Sequence, residues 1–570
     1  MNRKMIMAVL VMVLLAALVL TGCNRDGGGG GDGAAPGRGT PGEAGFNPMA
    51  PFYPPITVTS VRRTTSNPVF LEGYCWENNV WSRAFEEELG IIVDYIWLED
   101  ASGYMARLNL QIASGDIPDF MWLYDTQIAM MQRGGMLMDL TDVWNNFATH
   151  NLRNEFLYQQ DGLYLAGAFI NDRLMMLPSI VQGVPDWATT LWIRYDWLRN
   201  LGLGVPTTID EFMEVARAFT HDDPTGTGQQ TFAMGIAGRD NLLTDWGGLH
   251  TFFEMFGVQP GWWFSDQLFY EYINGEVVWS GSLPGMTEAL TELQRMFADG
   301  QIPPDFPTIG AGDRLIEDLV NSTVGIFGGA SWVAGWPLGM LKAENPEADW
   351  VAIPPPSRTG APHPIRVYQP AAVWYAVSAN MQHPEAIMMM ANFFTDIWFG
   401  YDGRNPRRPD FMPRPGERND GTGAVVSPMR IGSPRLAEVD FRAVNNALAT
   451  GNSDGLTAAQ LTTFNNAQRY LNYRDPNPGW PAFWANSGQP NTINHTLFDV
   501  MAHFPRNFNA HMGIVTDLMA DRFGIYRSMA LPLVTQIITG EQPVSAWEDF
   551  LVQWDQLGNQ DVIAEIVSLR

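Results

Sequence analysis

The chain has 570 residues, a net charge of −27 and 46% hydrophobic residues. That length excludes one small domain, and the composition is that of a globular body. A surface so acidic excludes nucleic acid as a partner, because phosphate backbones are held by clustered Lys and Arg. Lysine is confined to Lys4 and Lys342, so arginine carries almost all the positive charge.

At the N-terminus, Arg3 and Lys4 precede an unbroken apolar run over residues 5–20. The run is shorter than the roughly 18–20 residues a spanning helix needs, and it has the pattern of a secretory signal. Leu20-Thr21-Gly22-Cys23 follows and resembles a bacterial lipobox. The resemblance implies that Cys23 becomes the mature N-terminus and carries lipid. One acyl chain binds a membrane marginally and more than one anchors stably, so a diacylated Cys23 would hold the protein on the outer face of a cell membrane. A signal peptide with an incidental cysteine is the alternative. Residues 1–22 are thus expected to be a signal peptide. Residues 23–55, with GGGGGDGAAPGRGTPGE at their centre, are expected to be a flexible tether, because they hold too little apolar surface to fold.

The folded body is expected to begin near Thr57. PVFLEGY reads as a strand bounded by Pro68, VWSRAFEEELG as a helix ending at Gly90, and IIVDYIWL as a strand. YMARLNLQIASG reads as a helix ending at Gly115, and DFMWLY as the next strand. Alternating strands and helices predict an α/β body with a mostly parallel sheet and right-handed crossovers. Further on, Thr208-Ile-Asp-Glu211 is a capping-box pattern before Phe212, Val215, Ala216 and Phe219. EVVWS, STVGIFGG and AAVWYAVSA read as short strands, and MTEALTELQRMFADG and PEAIMMMANFFTD as helices. Residues 400–509, rich in Pro, Arg, Asn and Gly with helical pieces such as LTTFNNAQRYL, read as a long insertion with weak regular structure. Ser545-Ala-Trp-Glu548 is a second capping-box pattern.

Several segments together resemble one family: the extracellular solute-binding lipoproteins of bacterial ABC importers, in the large carbohydrate-binding branch. They are QIASGDIPDFMWLYD with GGMLMDLTDVW, LWIRYDWLRNLGLGVPTTIDEFMEVARAF, GEVVWSGSLPGMTEALTELQRMFADGQIPPDF, VGIFGGASW, ANMQHPEAIMMMANFF and IITGEQPVSAWEDFLVQWDQLG, in family order over nearly the whole chain. The resemblance implies a two-lobe, type II periplasmic-binding-protein-like fold. Each lobe is a mostly parallel sheet flanked by helices, and a hinge joins them. The expected division is 56–186 and 371–508 for lobe 1, and 187–370 and 509–570 for lobe 2, with crossings near 181–191, 367–378 and 507–513. It implies a ligand held in the cleft as the lobes close, permease subunits as partners, and action as a monomer.

The same resemblance points to an EF-hand-like loop at DDPTGTGQQT. Asp223 is present, but Thr225, Thr227, Gln229 and Thr231 follow it, and calcium prefers carboxylate and carbonyl oxygens. No cofactor and no metal are therefore expected.

Several motifs of catalysis are missing: there is no H-E-x-x-H, no C-x-x-C and no Walker loop. A surface-anchored carbohydrate-active enzyme stays open as an alternative because carboxylates are plentiful, as does a glycan receptor without transport. The 21 Trp are more informative. Trp76, Trp246, Trp262, Trp263, Trp332, Trp336, Trp480 and Trp484 lie beside turn signals, and sugar rings stack on such faces. For any one of them, core packing is the commoner role. In open α/β sheets ligands bind beyond the carboxyl ends of strands. This selects Trp76, Glu77 and Asn78, then Tyr124 and Asp125, then Ser331, Trp332 and Trp336. Arg239, Asp240 and Trp246 are second-rank candidates, with a structural loop as an equal alternative. Trp374, on an expected hinge strand, either floors the cleft or packs inside.

Overall fold

The computed structural model describes residues 39–64, 70–157, 163–179, 188–261, 267–368, 373–399, 411, 423–476 and 479–569. Cys23, Trp262, Trp263 and most of the 181–191 crossing lie outside the described residues. Contacts divide the chain into two units. One comprises 1–122, 140–152 and 377–430, and the other 123–139, 153–376 and 431–570.

In the first unit, strand β1 (Ile56–Thr64) pairs in parallel with β2 (Ile91–Asp100), Ile56 opposite Ile91, with a register shift at Ser60/Val61. Alternation shapes the first half of the strand: Val58 and Ser60 are buried while Thr57 and Thr59 are not, and Val61 is buried next to Ser60, where the register shifts. Helix α1 (Ala101–Ser114) buries Tyr104, Leu108 and Ile112, one stripe at helical spacing, and Gly115 ends it at φ 75°. Strand β3 (Phe120–Leu123) follows. Its entry is fixed by Asp119, whose Oδ2 accepts hydrogen bonds from the Thr59 amide (2.7 Å) and hydroxyl (2.8 Å). Gly90 closes the helical segment before β2 at φ 65°; a Cβ there would lie 2.2 Å from the Phe52 carbonyl oxygen, so only glycine fits.

PVFLEGY is not a strand in its described part, which runs as turns from Phe70. Gly73 takes φ 78°, and the Asn79 carboxamide accepts the amides of Trp81 and Ser82 to start the helix Val80–Ala84. The first strand is β1, upstream.

In the second unit, α2 (Asp125–Arg133) is followed by strands β4 (Met176–Pro178) and β5 (Thr190–Arg194). Next come α3 (Ile209–His221), β6 (Phe232–Met234), α4 (His250–Met255) and β7 (Val324–Gly329). Helix α5 (Leu338–Glu344) leads to β8 (Trp350–Ile353). The central sheet has the order β8-β5-β7-β6. Here β7 runs parallel to β6, while β5 is antiparallel to both its neighbours. The parallel relation implied by strand–helix alternation thus holds for one pair, and the sheet is mixed. Thr208 and Glu211 form the expected reciprocal capping box of α3, which buries Phe212, Val215, Ala216 and Phe219. Strand β9 (Trp374–Val377) pairs antiparallel with β4, Trp374 opposite Pro178.

The described residues of 431–508 carry more helix than a weakly structured insertion: the expected helical piece LTTFNNAQRYL lies in Ala458–Tyr473, opened by a capping box of Thr457 and Gln460, and Leu436–Thr450 and Gly479–Asn486 are helical beside it. They also belong to the second unit, not to the first lobe: Trp484 packs on Trp192 of β5 at 5.3 Å between ring centroids, and Pro481 lies against Gly339 of α5. The apolar faces of these helices, not their polar composition, decide where they go. The expected crossing at 507–513 likewise lies within the second unit, whereas 367–378 contains the division at 376/377. At the C-terminus Ser545 has helical φ/ψ (−59°, −18°) and makes no side-chain cap, so that motif match is incidental. Among the described residues no helix is long and apolar enough to cross a membrane.

Candidate binding site: an aromatic platform

The end of β7 is built for close approach. All six residues of the strand are buried. A Cβ on Gly328 would lie 3.1 Å from the Gly248 carbonyl oxygen, and one on Gly329 would lie 2.8 Å from the Val333 side chain. The Gly329 carbonyl accepts from the Thr190 hydroxyl (2.9 Å) and from Trp192 Nε1 (3.2 Å), which pins the strand end to β5. The chain then turns through a 3₁₀ segment, Ser331–Ala334.

That turn presents Trp332 and Trp336 as a stacked pair, centroids 6.0 Å apart and planes at 21°. Each remains 41% exposed. Beneath them lies Trp246, 5% exposed, edge-on to Trp332 at 5.4 Å and tilted against Trp336 at 5.9 Å. Phe327 of β7 braces Trp246 from below, edge to face at 5.5 Å. The loop carrying Trp246 is fastened by Asn241 Nδ2 to the Trp246 carbonyl (3.0 Å) and by the Gly247 amide to the Gly328 carbonyl (2.9 Å). Gly247 takes φ 65° to make that contact. Four of the sequence candidates, Trp246, Ser331, Trp332 and Trp336, thus come together at one strand end. Two broad aromatic faces held open on a rigid base can stack on flat apolar ring faces at little entropic cost.

Arg239 and Asp240 begin the same loop, but bond one another and Asp313. Arg239 Nη2 is 3.0 Å from both Asp240 Oδ2 and Asp313 Oδ2, and Asp240 Oδ1 accepts the Ala311 amide at 3.1 Å. Hydrogen bonds to Asp313 and Asp240 raise the Arg239 pKa further, so its charge is permanent.

Asp125 and Trp374 also meet, with each other. Trp374 Nε1 donates to Asp125 Oδ1 at 2.6 Å, and the Val515 amide donates to Oδ2 at 3.0 Å. Trp374 is wholly buried on β9, so of its two alternatives it packs inside. Tyr124 is the N-cap residue of α2 and is half-buried. In the first unit Trp76 is buried under the Arg62 guanidinium (4.9 Å) and against Phe70. Asn78 closes its own turn, accepting from Arg83 Nε (2.8 Å) and donating to the Gly73 carbonyl (3.0 Å). Glu77 is half-buried beside them. Trp480 and Trp484 are buried in a stack at 5.4 Å. Sequence reading missed the supporting residues Phe327 and Trp192, whose role depends on contacts distant along the chain, and Asn241, whose bond closes a five-residue loop.

Oδ1 of Asp223 accepts the Thr225 hydroxyl (3.1 Å) and the Thr227 amide (3.2 Å), and Oδ2 accepts the Gly228 amide (3.1 Å). Among the described residues no group of three or more His, Cys, Asp or Glu is placed to hold a metal ion.

Two curated proteins of Bacillus subtilis (strain 168) are similar. Lipoprotein LipO is 26% identical over 253 residues, 43% of this chain and 45% of its own. The polygalacturonan/rhamnogalacturonan-binding protein YtcQ is 30% identical over 173 residues, 30% of this chain and 32% of its own. The chain thus spans less than half the length of these relatives. Among solved structures, an HMO binding ABC-transporter associated solute binding protein from Bifidobacterium longum infantis superposes with a TM-score of 0.59 at 16% identity, over 90% of this chain and 98% of that one. This likeness shows the fold, that of type II periplasmic binding proteins. Residues 69–396 match the family model described as bacterial extracellular solute-binding protein, and the chain belongs to that family.

Proposed function

We propose that this protein captures a carbohydrate, in the first place an oligosaccharide, outside the cell and delivers it to the permease subunits of an ABC importer. The observation that carries the proposal is the stacked, half-exposed Trp332/Trp336 pair on its Trp246 base. Aromatic faces of this size suit pyranose and furanose rings, and sequential rings suit a sequential pair. The names of YtcQ and of the Bifidobacterium protein point to the same ligand class. Binding is the whole chemistry of the proposal: no covalent step and no metal. The lipobox-like Leu20-Thr21-Gly22-Cys23 supports a mature chain that is lipidated at Cys23 and tethered to the outer face of the membrane.

The test is titration of the purified protein with pectic, fructan and host-glycan oligosaccharides, followed by tryptophan fluorescence. Saturable binding of at least one glycan, weakened by Trp332→Ala, is the expected result. Silence toward every glycan with saturable binding of peptides would refute the carbohydrate assignment, and release of new reducing ends would move the protein to the enzymes. Calcium and chelator should leave both binding and melting temperature unchanged; a calcium-dependent rise in melting temperature would restore the metal.

A further inference from the structure

The loop that seats Trp246 carries a buried carboxyl group that the platform alone does not explain. Asp245 is 6% exposed, and its Oδ1 is buried without a hydrogen-bond partner. Its backbone carbonyl faces Gly328 at the end of β7, and its chain neighbour Trp246 supports both exposed indoles. Residue 245 therefore sits at the joint between the strand end and the aromatic base, and its carboxyl is buried there. We infer that Asp245 is a positioning residue for Trp246, and through it for the Trp332/Trp336 pair, and that its ionisation makes the presentation of that pair depend on pH. This rests on the platform reading given under Proposed function.

The charges around the joint are few. His250 on α4 is coupled to Asp245, and lies 3.6 Å from Glu254 one turn on. Glu254 accepts from the Thr189 hydroxyl (3.1 Å), beside the Thr190 that holds Gly329. Farther out, Arg366, His363 and Tyr368 feel the charge of Glu254. Burial pushes the Asp245 carboxyl up, against the pull of His250 and of the amides of Asp245 and Trp246. For an acid with a raised folded-state pKa, the unfolded chain ionises first. Stability is therefore lost as pH rises from 3.8, the ordinary value, to the raised one, and stays lower above it. A carboxyl kept at such a cost beside a binding surface is a candidate for function.

The experiment needs no ligand. Tryptophan emission of the full chain is followed over roughly pH 4 to 8, which spans the range of a raised carboxylate. The wild type is compared with Trp332→Phe/Trp336→Phe, Asp245→Asn and His250→Gln. The expected wild-type emission step is lost in the double variant and in Asp245→Asn, which melts no lower than wild type at pH 7. In His250→Gln the step moves to higher pH, because a neighbouring positive charge is gone. A step that persists unchanged in Asp245→Asn, or in the double variant, overturns the inference, as does a wild type without a step. If Asp245→Asn does not fold, the direction of the His250→Gln shift decides. A glycan found by the titration above should bind Asp245→Asn at least about threefold more weakly, a loss of about 0.6 kcal/mol. If no glycan binds, the proposed function fails while the ligand-free step still stands or falls alone.

Discussion

Asp125 stands at the carboxyl end of β3, where a ligand contact was expected, and the structure gives it a different partner set. Its Oδ1 takes the indole N–H of the wholly buried Trp374 at 2.6 Å, and its Oδ2 takes the Val515 amide at 3.0 Å. Three segments distant along the chain are joined through one side chain. A hydrogen bond to a charged group contributes about 1.5–3 kcal/mol, and a buried donor left without a partner adds a desolvation cost. Asp125 is itself half-buried, so the lower half of that range applies to each bond. Asp125→Ala should therefore remove about 3–4.5 kcal/mol of unfolding free energy. Asp125→Asn keeps one acceptor oxygen for the indole but turns an N–H₂ toward the Val515 amide, and should remove about half as much. Urea denaturation followed by circular dichroism reads the midpoint, with the m-value checked for constancy. If both variants unfold at the wild-type midpoint while glycan affinity collapses, Asp125 is a ligand group and the brace is wrong.

Other outcomes follow from the platform and from its surroundings. Trp332→Ala should weaken glycan binding by about 1–2 kcal/mol, roughly five- to thirtyfold, with an almost unchanged melting temperature because the ring is 41% exposed; isothermal titration and thermal melts separate the two. Gly329→Ala should cost about 1–3 kcal/mol of stability, since the new methyl meets Val333 at 2.8 Å and the Trp192 ring at 3.0 Å. Its denaturation midpoint should fall, and glycan affinity with it, because the same strand end carries the turn. Glu254 gives a pH signature. Burial raises its pKa, but the hydrogen bond and charge of His250, then Arg366 and Thr189, outweigh burial and bring it below 4.5. Its stabilising contribution is complete above that value and lost as pH falls through the lowered one. Glu254→Gln should melt lower than wild type at pH 7, with the gap closing in acid. A gap independent of pH would show that packing, not charge, is responsible.

Much of the local architecture was legible in the amino-acid order. The stripe of Tyr104, Leu108 and Ile112, the Thr208–Glu211 capping box and the glycine ending α1 depend on neighbours within a turn or two, so spacing reveals them. The same short-range logic misplaced PVFLEGY, whose Gly73 takes φ 78° in a turn, and passed over Thr457-Ala-Ala-Gln460, a capping box in plain sequence. At Ser545 a motif match had no counterpart, because the residue is already helical and its hydroxyl is not used as a cap.

The platform divides the same way. Two glycines before Trp332 mark a tight strand end in the sequence, and the turn that brings Trp336 back beside Trp332 is local, closed by the Trp336 amide on the Trp332 carbonyl at 3.1 Å. Tertiary packing alone determined which tryptophans stay in view. Trp246 slides under the pair because the Gly247 amide binds the Gly328 carbonyl. Trp76 disappears beneath Arg62, and Trp374 gives its N–H to Asp125. An indole is large enough to serve core or surface equally well. Its own neighbours in sequence specify only that it is present, and the partners that cover it come from segments far along the chain.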